Sequence, residues 1–216
     1  MNKKVNKKKK KKINKVKIIF GLIIITCFIL LGLCIKNIYD SISSNGQKQV
    51  QVLDSIELYG YQVDENDSKY FQETFKDLKK LLNSDDYEEK EYASLISKLF
   101  IIDFYSLKYA INSNDVGGKQ FVYNDYQDDF VEFAKDSVYK YVKNNIYGNR
   151  DQKLPNIKNV EITNIEQDEY DTDMYSDKEA YYVDIEIEYD EDLEYPIECS
   201  LIIVHSNDKL EIVSME

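Results

Sequence analysis

Acidic side chains are the residues of this chain with the clearest capacity for chemistry. Four aspartates, Asp168, Asp171, Asp173 and Asp177, follow one another closely, in what the sequence indicates is a single loop. Carboxylate oxygens at these spacings can bind a calcium ion, although the loop lacks the glycine and the closing glutamate of an EF-hand. We therefore treat these four residues as candidate metal ligands of a calcium-dependent adhesion module, with a solvated acidic loop as the alternative.

Asp103 is the second candidate, because it interrupts the apolar stretch 99–107. A carboxyl group that is withdrawn from water acquires a raised pKa and can act as an acid or a base. Asp103 is thus the candidate catalytic residue of a small-molecule-binding or weakly hydrolytic pocket. The alternative is a helix residue that faces solvent or caps a neighbouring backbone group.

Other catalytic patterns are missing from the sequence. His205 is the only histidine, which excludes multi-histidine metal sites, and we interpret it as a solvated residue beside a turn. No nucleophile elbow, Walker loop, dinucleotide fingerprint or paired C-x-x-C is found. Arg150 is the only arginine, and we attribute this to residue usage rather than to binding. The sequence therefore favours a domain that is not an enzyme and needs no cofactor.

Three helices are predicted where apolar residues recur at helical spacing. The first follows the N-cap candidates at 66–68 and ends at 83–84. The second begins near Asp85 and includes the apolar stretch that holds Asp103. The third begins at 124–125 and is predicted to end at Gly148, a C-terminal glycine.

Strands dominate the remainder, since the apolar period changes from about 3.6 to 2 after Pro155. One strand alternates cleanly between an apolar face and an acidic face, which is typical of a half-buried antiparallel sheet. Helices followed by strands predict an α+β domain, with three helices packed on an antiparallel sheet. The predicted strands are 55–63 (with Gly60 inside it), 160–165, 181–189, a central strand at 199–204 and, after a turn at 207–208, a closing strand at 210–215.

The N-terminal residues predict a membrane anchor. Residues 1–17 hold ten lysines and no acid, and the next eighteen residues, 18–35, carry no charge. As a helix they would span about 27 Å, close to the thickness of a bilayer core. The lysines would keep the N-terminus cytoplasmic. We expect a basic tail, a transmembrane helix, a stalk at 36–54 and an extracytoplasmic domain at 55–216, with signal-peptide cleavage as an alternative.

The formal charge of −12 combines two unlike parts of the chain. Residues 1–17 contribute +10 and the remainder contributes −22. An external domain of that charge repels nucleic acid and anionic lipid, so we expect no nucleic-acid partner and a domain that stands away from the bilayer. Cys199 is the only cysteine outside the predicted span, which excludes a disulfide within the domain.

The order of the elements, three helices followed by a curved antiparallel sheet, resembles the nuclear-transport-factor-2-like superfamily. The segments Leu99-Phe-Ile-Ile-Asp-Phe-Tyr, Asn114-Asp-Val-Gly-Gly and Phe121-Val-Tyr are also similar to single-span membrane proteins of low-GC Gram-positive bacteria. Within the superfamily, domains on one N-terminal span resemble the inner-membrane assembly component of type IV secretion and conjugation machines. The resemblance implies a scaffolding role through protein contacts, and it assigns no functional residue.

The sequence thus leaves three functional hypotheses. The first is a membrane-anchored interaction or scaffold domain, held by residues 18–35, that contacts other envelope proteins and could also self-associate. The second is the pocket with Asp103, and the third is calcium-dependent adhesion through the 168–177 loop.

Overall fold

The computed structural model describes residues 50–172 and 175–216. The predicted basic tail and membrane span lie outside these residues, as does the predicted stalk up to residue 49. Within the described ranges, no helix has both the length and the apolar character that crossing a membrane requires. The first strand begins at Val52, which corrects the prediction that the stalk continues to residue 54.

The described residues form an α+β domain with three α-helices and two antiparallel sheets, which confirms the predicted class. One sheet is a two-stranded hairpin that precedes the helices, and the other has four strands that follow them. The helices are α1 (Lys69–Leu82), α2 (Glu89–Tyr105) and α3 (Gln127–Asp136); the strands are β1 (Val52–Ile56), β2 (Tyr61–Asp64), β3 (Ile157–Asp171), β4 (Ser176–Tyr189), β5 (Glu198–Ser206) and β6 (Lys209–Met215).

The hairpin β1–β2 corrects the prediction of one strand from Ser55 to Val63. The chain reverses at residues 57–60, where the amide of Gly60 donates to the carbonyl of Glu57 at 3.2 Å. Gly60 has a φ of +70°, a conformation that glycine adopts without the steric cost of a Cβ atom. A glycine within an alternating pattern thus marks the turn of a hairpin here.

Helix α1 begins and ends where the sequence predicts. The hydroxyl of Ser68 accepts a hydrogen bond from the amide of Phe71 at 3.0 Å, which satisfies one of the free amides of the first turn. Phe71, Phe75 and Leu78 are buried on one face, and Asn83 follows the last turn.

Helix α2 is buried on nearly all sides. It begins at Glu89, four residues later than predicted, with Glu89 and Glu91 in the first turn, where the helix dipole favours acids. Residues 99–102 are at most 1% exposed, and residues 104–107 are at most 5% exposed. Helix α2 contacts α1 as well as β3, β4 and β6. It is therefore the central element on which the other layers pack.

Helix α3 ends at Asp136, and the prediction that it continues to Gly148 is wrong. The amide of Tyr139 donates to the carbonyl of Ala134 at 2.9 Å, and the hydroxyl of Ser137 donates to the carbonyl of Phe133 at 2.6 Å. These bonds close the last turn and redirect the chain, so that the Tyr139 side chain enters the core. Burial of an aromatic side chain outweighs continuation of an exposed helix.

The four-stranded sheet has the order β3-β4-β5-β6 and is antiparallel throughout. Strand β5 lies in the interior of the sheet, as its two apolar faces predict. In β4, Val183 and Ile185 are buried while Asp184 and Glu186 are exposed, which confirms the alternation. The predicted turn before β6 is also present, with Asn207 at a φ of +54°.

The solvent face of this sheet carries a row of like charges. Glu186 of β4 lies opposite Glu161 of β3 and Glu198 of β5, and all three are exposed. Like charges directly across strands are destabilising. Nearby, Lys158 forms an ion pair with Glu188 at 2.5 Å. Among the described residues, no lysine or arginine forms such an ion pair with Glu161, Glu186 or Glu198.

Buried hydroxyls tie the layers together. The hydroxyls of Tyr61 (β2) and Tyr92 (α2) lie 2.8 Å apart. Tyr61 also donates to the carbonyl of Leu210 (β6) at 3.2 Å, and the Leu210 amide donates to the hydroxyl of Tyr92 at 3.3 Å. The hairpin, the central helix and the last strand therefore meet in one polar network inside an apolar core, where each hydrogen bond is protected from water.

The hydroxyl of Tyr139 is a second such link, and it generates a prediction. It donates to the carbonyl of Phe104 at 2.8 Å and accepts from the amide of Gly117 at 3.0 Å. Tyr139→Phe removes both bonds and leaves two backbone groups without a partner, so we expect a loss of about 1–3 kcal/mol in the free energy of unfolding. Urea unfolding of the full-length chain, followed by tyrosine fluorescence, measures this.

Tyr141→Phe is the matched control, since the Tyr141 side chain is exposed and the substitution is chemically identical. Equal stabilities of the two variants would contradict the structural role of the Tyr139 hydroxyl.

Candidate functional site

Asp103 lies near the C-terminal end of α2 and faces the loop that follows it. Its Oδ2 atom accepts a hydrogen bond from the amide of Gly118 at 2.6 Å. A Cβ atom on Gly117 would lie 2.3 Å from the Asp103 carbonyl oxygen, and one on Gly118 would lie 2.8 Å from the ring of Phe100. The glycine pair is therefore needed because the loop passes directly over the helix, and Asp103 holds it there.

A cavity of about 240 Å³ opens beside Asp103. Its walls come from β2 and the turn after it, from α2 and from the loop at 110–120. Four carboxylates line it, those of Asp64, Asp67, Asp103 and Asp115. No residue of β3 to β6 is in its lining, so the cavity lies away from the four-stranded sheet.

Each of these carboxylates accepts a backbone amide, which explains its position. Asp67 accepts from the amide of Asp64, Asp64 from that of Asn66, and Asp115 from that of Ile111, each at 2.7 Å. Aspartates commonly shape turns in this way. Each of these bonds occupies one oxygen of the carboxylate.

Withdrawal from water and mutual repulsion set the electrostatics of the cavity. Burial and the repulsion of Asp103 raise the pKa of Asp67 to about 8. Burial also raises the pKa of Asp103 to about 6, against the opposing effect of the Gly118 amide. The pKa of Asp115 is raised as well, chiefly by burial. A bound cation would relieve this repulsion, so the cavity suits a positively charged ligand.

Three hydroxyl groups of the lining have assigned hydrogen-bond partners, and none of the three is an activated nucleophile. The hydroxyl of Ser68 caps α1, that of Ser106 accepts from the amide of Ile157 at 3.4 Å, and that of Tyr139 spans two backbone groups. A nucleophile needs a base within hydrogen-bond distance. Among the described residues of the lining, Lys119 is the one cation, and it pairs with Asp128 at 3.3 Å.

The four predicted calcium ligands are only partly described. Strand β3 continues to Asp171 and β4 begins at Ser176, so Asp168, Asp171 and Asp177 lie on strands rather than in one loop. Asp173 lies outside the described residues. Among the described residues, no group of three or more His, Cys, Asp or Glu side chains could hold a metal ion. A calcium site that includes Asp173 stays a prediction.

His205 makes contacts that the sequence does not indicate. Its Nδ1 atom lies 2.8 Å from Oδ2 of Asp177, and its Nε2 atom lies 3.1 Å from Oε2 of Glu89. The hydroxyl of Tyr181 donates to the same oxygen of Glu89 at 3.2 Å. The prediction that His205 lies beside a turn is confirmed, but its ring is only about one-third exposed and contacts two carboxylates as well as solvent. Glu89 is 116 positions away in the sequence, and no local pattern joins the two residues.

Arg150 has a structural role. Its guanidinium donates to the carbonyls of Ala110 at 2.8 Å and Lys108 at 2.6 Å, and more weakly to those of Lys143 and Leu107. It ties residues 143–150 to the segment that follows α2. The rigid fork of donors suits arginine to this task, and lysine would not replace it.

The segment 137–152, here called the 137–152 loop, exposes large aromatic side chains although its backbone is held firmly. Gln152 donates to the carbonyl of Tyr141 and accepts from the amide of Lys143, and the amide of Asn145 donates to the carbonyl of Ile111 at 2.7 Å. Yet Tyr141 is 77% exposed and Tyr147 is 87% exposed. Phe133, at the end of α3, is 67% exposed.

Comparison with known protein families, with curated proteins and with solved structures found no match for this chain. Its function is therefore argued from its own residues.

The raised carboxyl pKa values make stability depend on pH. A carboxyl group with a higher pKa in the folded state binds its proton more tightly when folded. The contribution of Asp67 and Asp103 to stability is therefore greatest below the unfolded value near 3.8 and falls as the pH rises towards 8. We expect the free energy of unfolding to fall by a few kcal/mol between pH 4 and pH 8. This corresponds to a combined pKa shift on the order of one to two units after solvent screening, at about 1.4 kcal/mol for each unit. Asp67→Asn should flatten this slope.

Urea unfolding at a series of pH values checks this, with Asp208→Asn in an exposed turn as the control. If Asp67→Asn and Asp208→Asn gave the same slope, Asp67 would not carry the pH dependence.

Proposed function

We propose that this chain is a single-pass membrane protein whose extracytoplasmic α+β domain binds another protein of the cell envelope. The lysine-rich tail and the uncharged stretch 18–35 support the anchor and its orientation. The observation that carries the binding role is the exposure of Tyr141 and Tyr147 on a backbone that is held by side-chain hydrogen bonds.

Exposed tyrosines on an ordered loop are suited to binding. Aromatic side chains are enriched at protein interfaces and dominate the residues whose truncation weakens binding most. A flexible loop would lose conformational freedom on binding, which lowers affinity. In the 137–152 loop the bonds of Arg150 and Gln152 restrict the backbone before any partner arrives.

Charge indicates what kind of surface the partner presents. Most exposed strand residues of the large sheet are acidic, whereas the 137–152 loop carries Lys140, Lys143 and Arg150 against one acid, Asp151, which lies 4.0 Å from Lys143. The ammonium group of Lys140 lies 5.7 Å from the ring centre of Tyr141, within the range of a cation–π interaction. A partner with acidic groups around an apolar depression would match the loop and would be repelled by the sheet.

The fold assignment belongs to the same proposal. Three helices followed by a four-stranded antiparallel sheet support a nuclear-transport-factor-2-like domain with a curved sheet. The three register irregularities between β3 and β4 are consistent with such curvature, because bulges bend and twist strands. A scaffold component of an envelope, secretion or conjugation assembly is the role we infer from this resemblance.

Site-specific photo-crosslinking in native membranes tests the binding role. With a photoreactive phenylalanine analogue in place of Tyr147, we expect one discrete adduct with another protein. Tyr141→Ser in the same chain should reduce its yield about tenfold, the effect of losing an interface residue worth roughly 1.4 kcal/mol.

Leu58 is 82% exposed in the β1–β2 turn and provides the matched control position. A crosslinker at Leu58 should give no such adduct. The same adducts from both positions, or none from Tyr147 in a folded protein, would contradict the proposal, and lipid adducts alone would assign the loop to the bilayer surface instead.

A second candidate function is the binding of a small organic cation in the cavity beside Asp103. The observation that favours it is the convergence of four carboxylates, with raised pKa values at Asp67, Asp103 and Asp115, around about 240 Å³. That volume suits a small amine rather than a drug-sized ligand. Binding is favoured over hydrolysis, because the lining hydroxyls of Ser68, Ser106 and Tyr139 bond backbone groups rather than a base.

Putrescine, a compact diamine, is a suitable probe. We expect it to shift the amide resonances of Gly117 and Gly118 in the full-length chain and to raise the melting temperature, since a ligand that binds only the folded state stabilises it. Asp103→Asn should weaken both effects, because the substitution removes a charge while keeping the side-chain shape. Asp208→Asn should change neither.

If millimolar putrescine left the amide resonances of Gly117 and Gly118 unshifted, this second function would be excluded. The proposed protein-binding role would not be affected by that result.

A further inference from the structure

His205 joins three elements through a single imidazole ring. It lies near the end of β5, Asp177 lies at the start of β4, and Glu89 is the first residue of α2. Carboxylate oxygens face both ring nitrogens, at 2.8 Å from Nδ1 and 3.1 Å from Nε2. The ring is about one-third exposed, so protons from solvent can reach it.

The chemistry of these contacts requires a particular protonation state. An ionised carboxylate only accepts hydrogen bonds, and a neutral imidazole has one N–H donor and one lone pair. The neutral ring would therefore direct a lone pair at one of the two carboxylates, whereas the imidazolium donates to both. We propose that His205 is a proton-dependent latch that holds the first turn of α2 against the end of the large sheet while the ring is charged.

The other hydrogen bonds of Asp177 and Glu89 determine which of these two carboxylates is released when the ring loses its proton. Asp177 also accepts the backbone amides of His205 at 2.8 Å and Glu179 at 3.0 Å, so it stays in place without the ring proton. Glu89 has, besides the ring, the hydroxyl of Tyr181. In the described part of the chain, no lysine or arginine forms an ion pair with either carboxylate. Loss of the proton should therefore release Glu89.

The remaining neighbours hold the ring in position but do not replace its charge. The hydroxyl of Tyr175 donates to the carbonyl of His205, and the ring of Tyr181 lies 6.1 Å from the imidazole. Tyr175 also packs against Tyr123. These contacts keep the end of β5 beside β4 in either protonation state.

The pH range in which the latch is closed follows from the pKa values of His205 and Asp177. Burial lowers the pKa of His205, but hydrogen bonds to Glu89 and Asp177 outweigh this and raise the pKa above its ordinary value of 6.5. Burial alone would raise the pKa of Asp177, but its hydrogen bonds lower it below 3.8. The stabilisation is complete between about pH 3.8 and pH 6.5. It is lost as the pH rises through the raised pKa of His205, and as the pH falls through the lowered pKa of Asp177.

The unique histidine allows a direct test on the full-length chain. Selective nitrogen-15 labelling of histidine gives the resonances of His205 alone, and the two nitrogen shifts report which of them carry protons. We expect both to be protonated at pH 6, with a titration midpoint above 6.5. Glu89→Gln should lower the midpoint, whereas Glu88→Gln, one residue before α2, should leave it nearly unchanged.

A double-mutant cycle with His205→Gln and Glu89→Gln provides an independent readout and cancels the pH dependence of the cavity carboxylates. Coupling should be present at pH 6 and lost at pH 9. A midpoint at or below 6.5, a neutral ring at pH 6, or equal coupling at both pH values would overturn the latch.

Discussion

Helix α2 is apolar around most of its circumference, so it has to be covered on every side at once. Helix α1 covers one side, and β3, β4 and β6 cover another. Residues 99–102 alone would lose several kcal/mol of hydrophobic stabilisation if they were exposed, at about 1.5–3 kcal/mol for each large side chain. With no disulfide available to the domain, this burial is the constraint on which the arrangement of the other elements depends.

Three polar contacts of functional or structural interest are attached to this helix. Glu89 in its first turn meets His205 from the sheet, Asp103 near its end holds the glycine pair, and the carbonyl of Phe104 receives the hydroxyl of Tyr139. Because α2 itself cannot shift without opening the core, these contacts are held in register with one another. A protonation event at Glu89 and His205 would therefore act on the same rigid element that forms a wall of the acidic cavity.

The net charge of the domain hides a difference between two of its surfaces. The sheet presents acids to solvent, including the row Glu161, Glu186 and Glu198, while the 137–152 loop carries Lys140, Lys143 and Arg150 against a single acid, Asp151. The predicted repulsion of anionic surfaces applies to the sheet face but not to that loop. One domain can thus avoid most polyanions and still direct a tyrosine-bearing, positively charged loop at an acidic protein surface.

The sequence by itself determined the elements with strong periodicity: α1 with its Ser68 cap, the alternating strand β4, the interior strand β5 and the turn at Asn207. These depend on local spacing, which a sequence displays directly. Only the tertiary structure decided where α3 ends, what Asp103 holds and what His205 contacts. In each case the deciding partner is far along the chain, 35 positions for Tyr139 with Phe104 and 116 for His205 with Glu89, and the gain is made by burial and hydrogen bonding that no local pattern records.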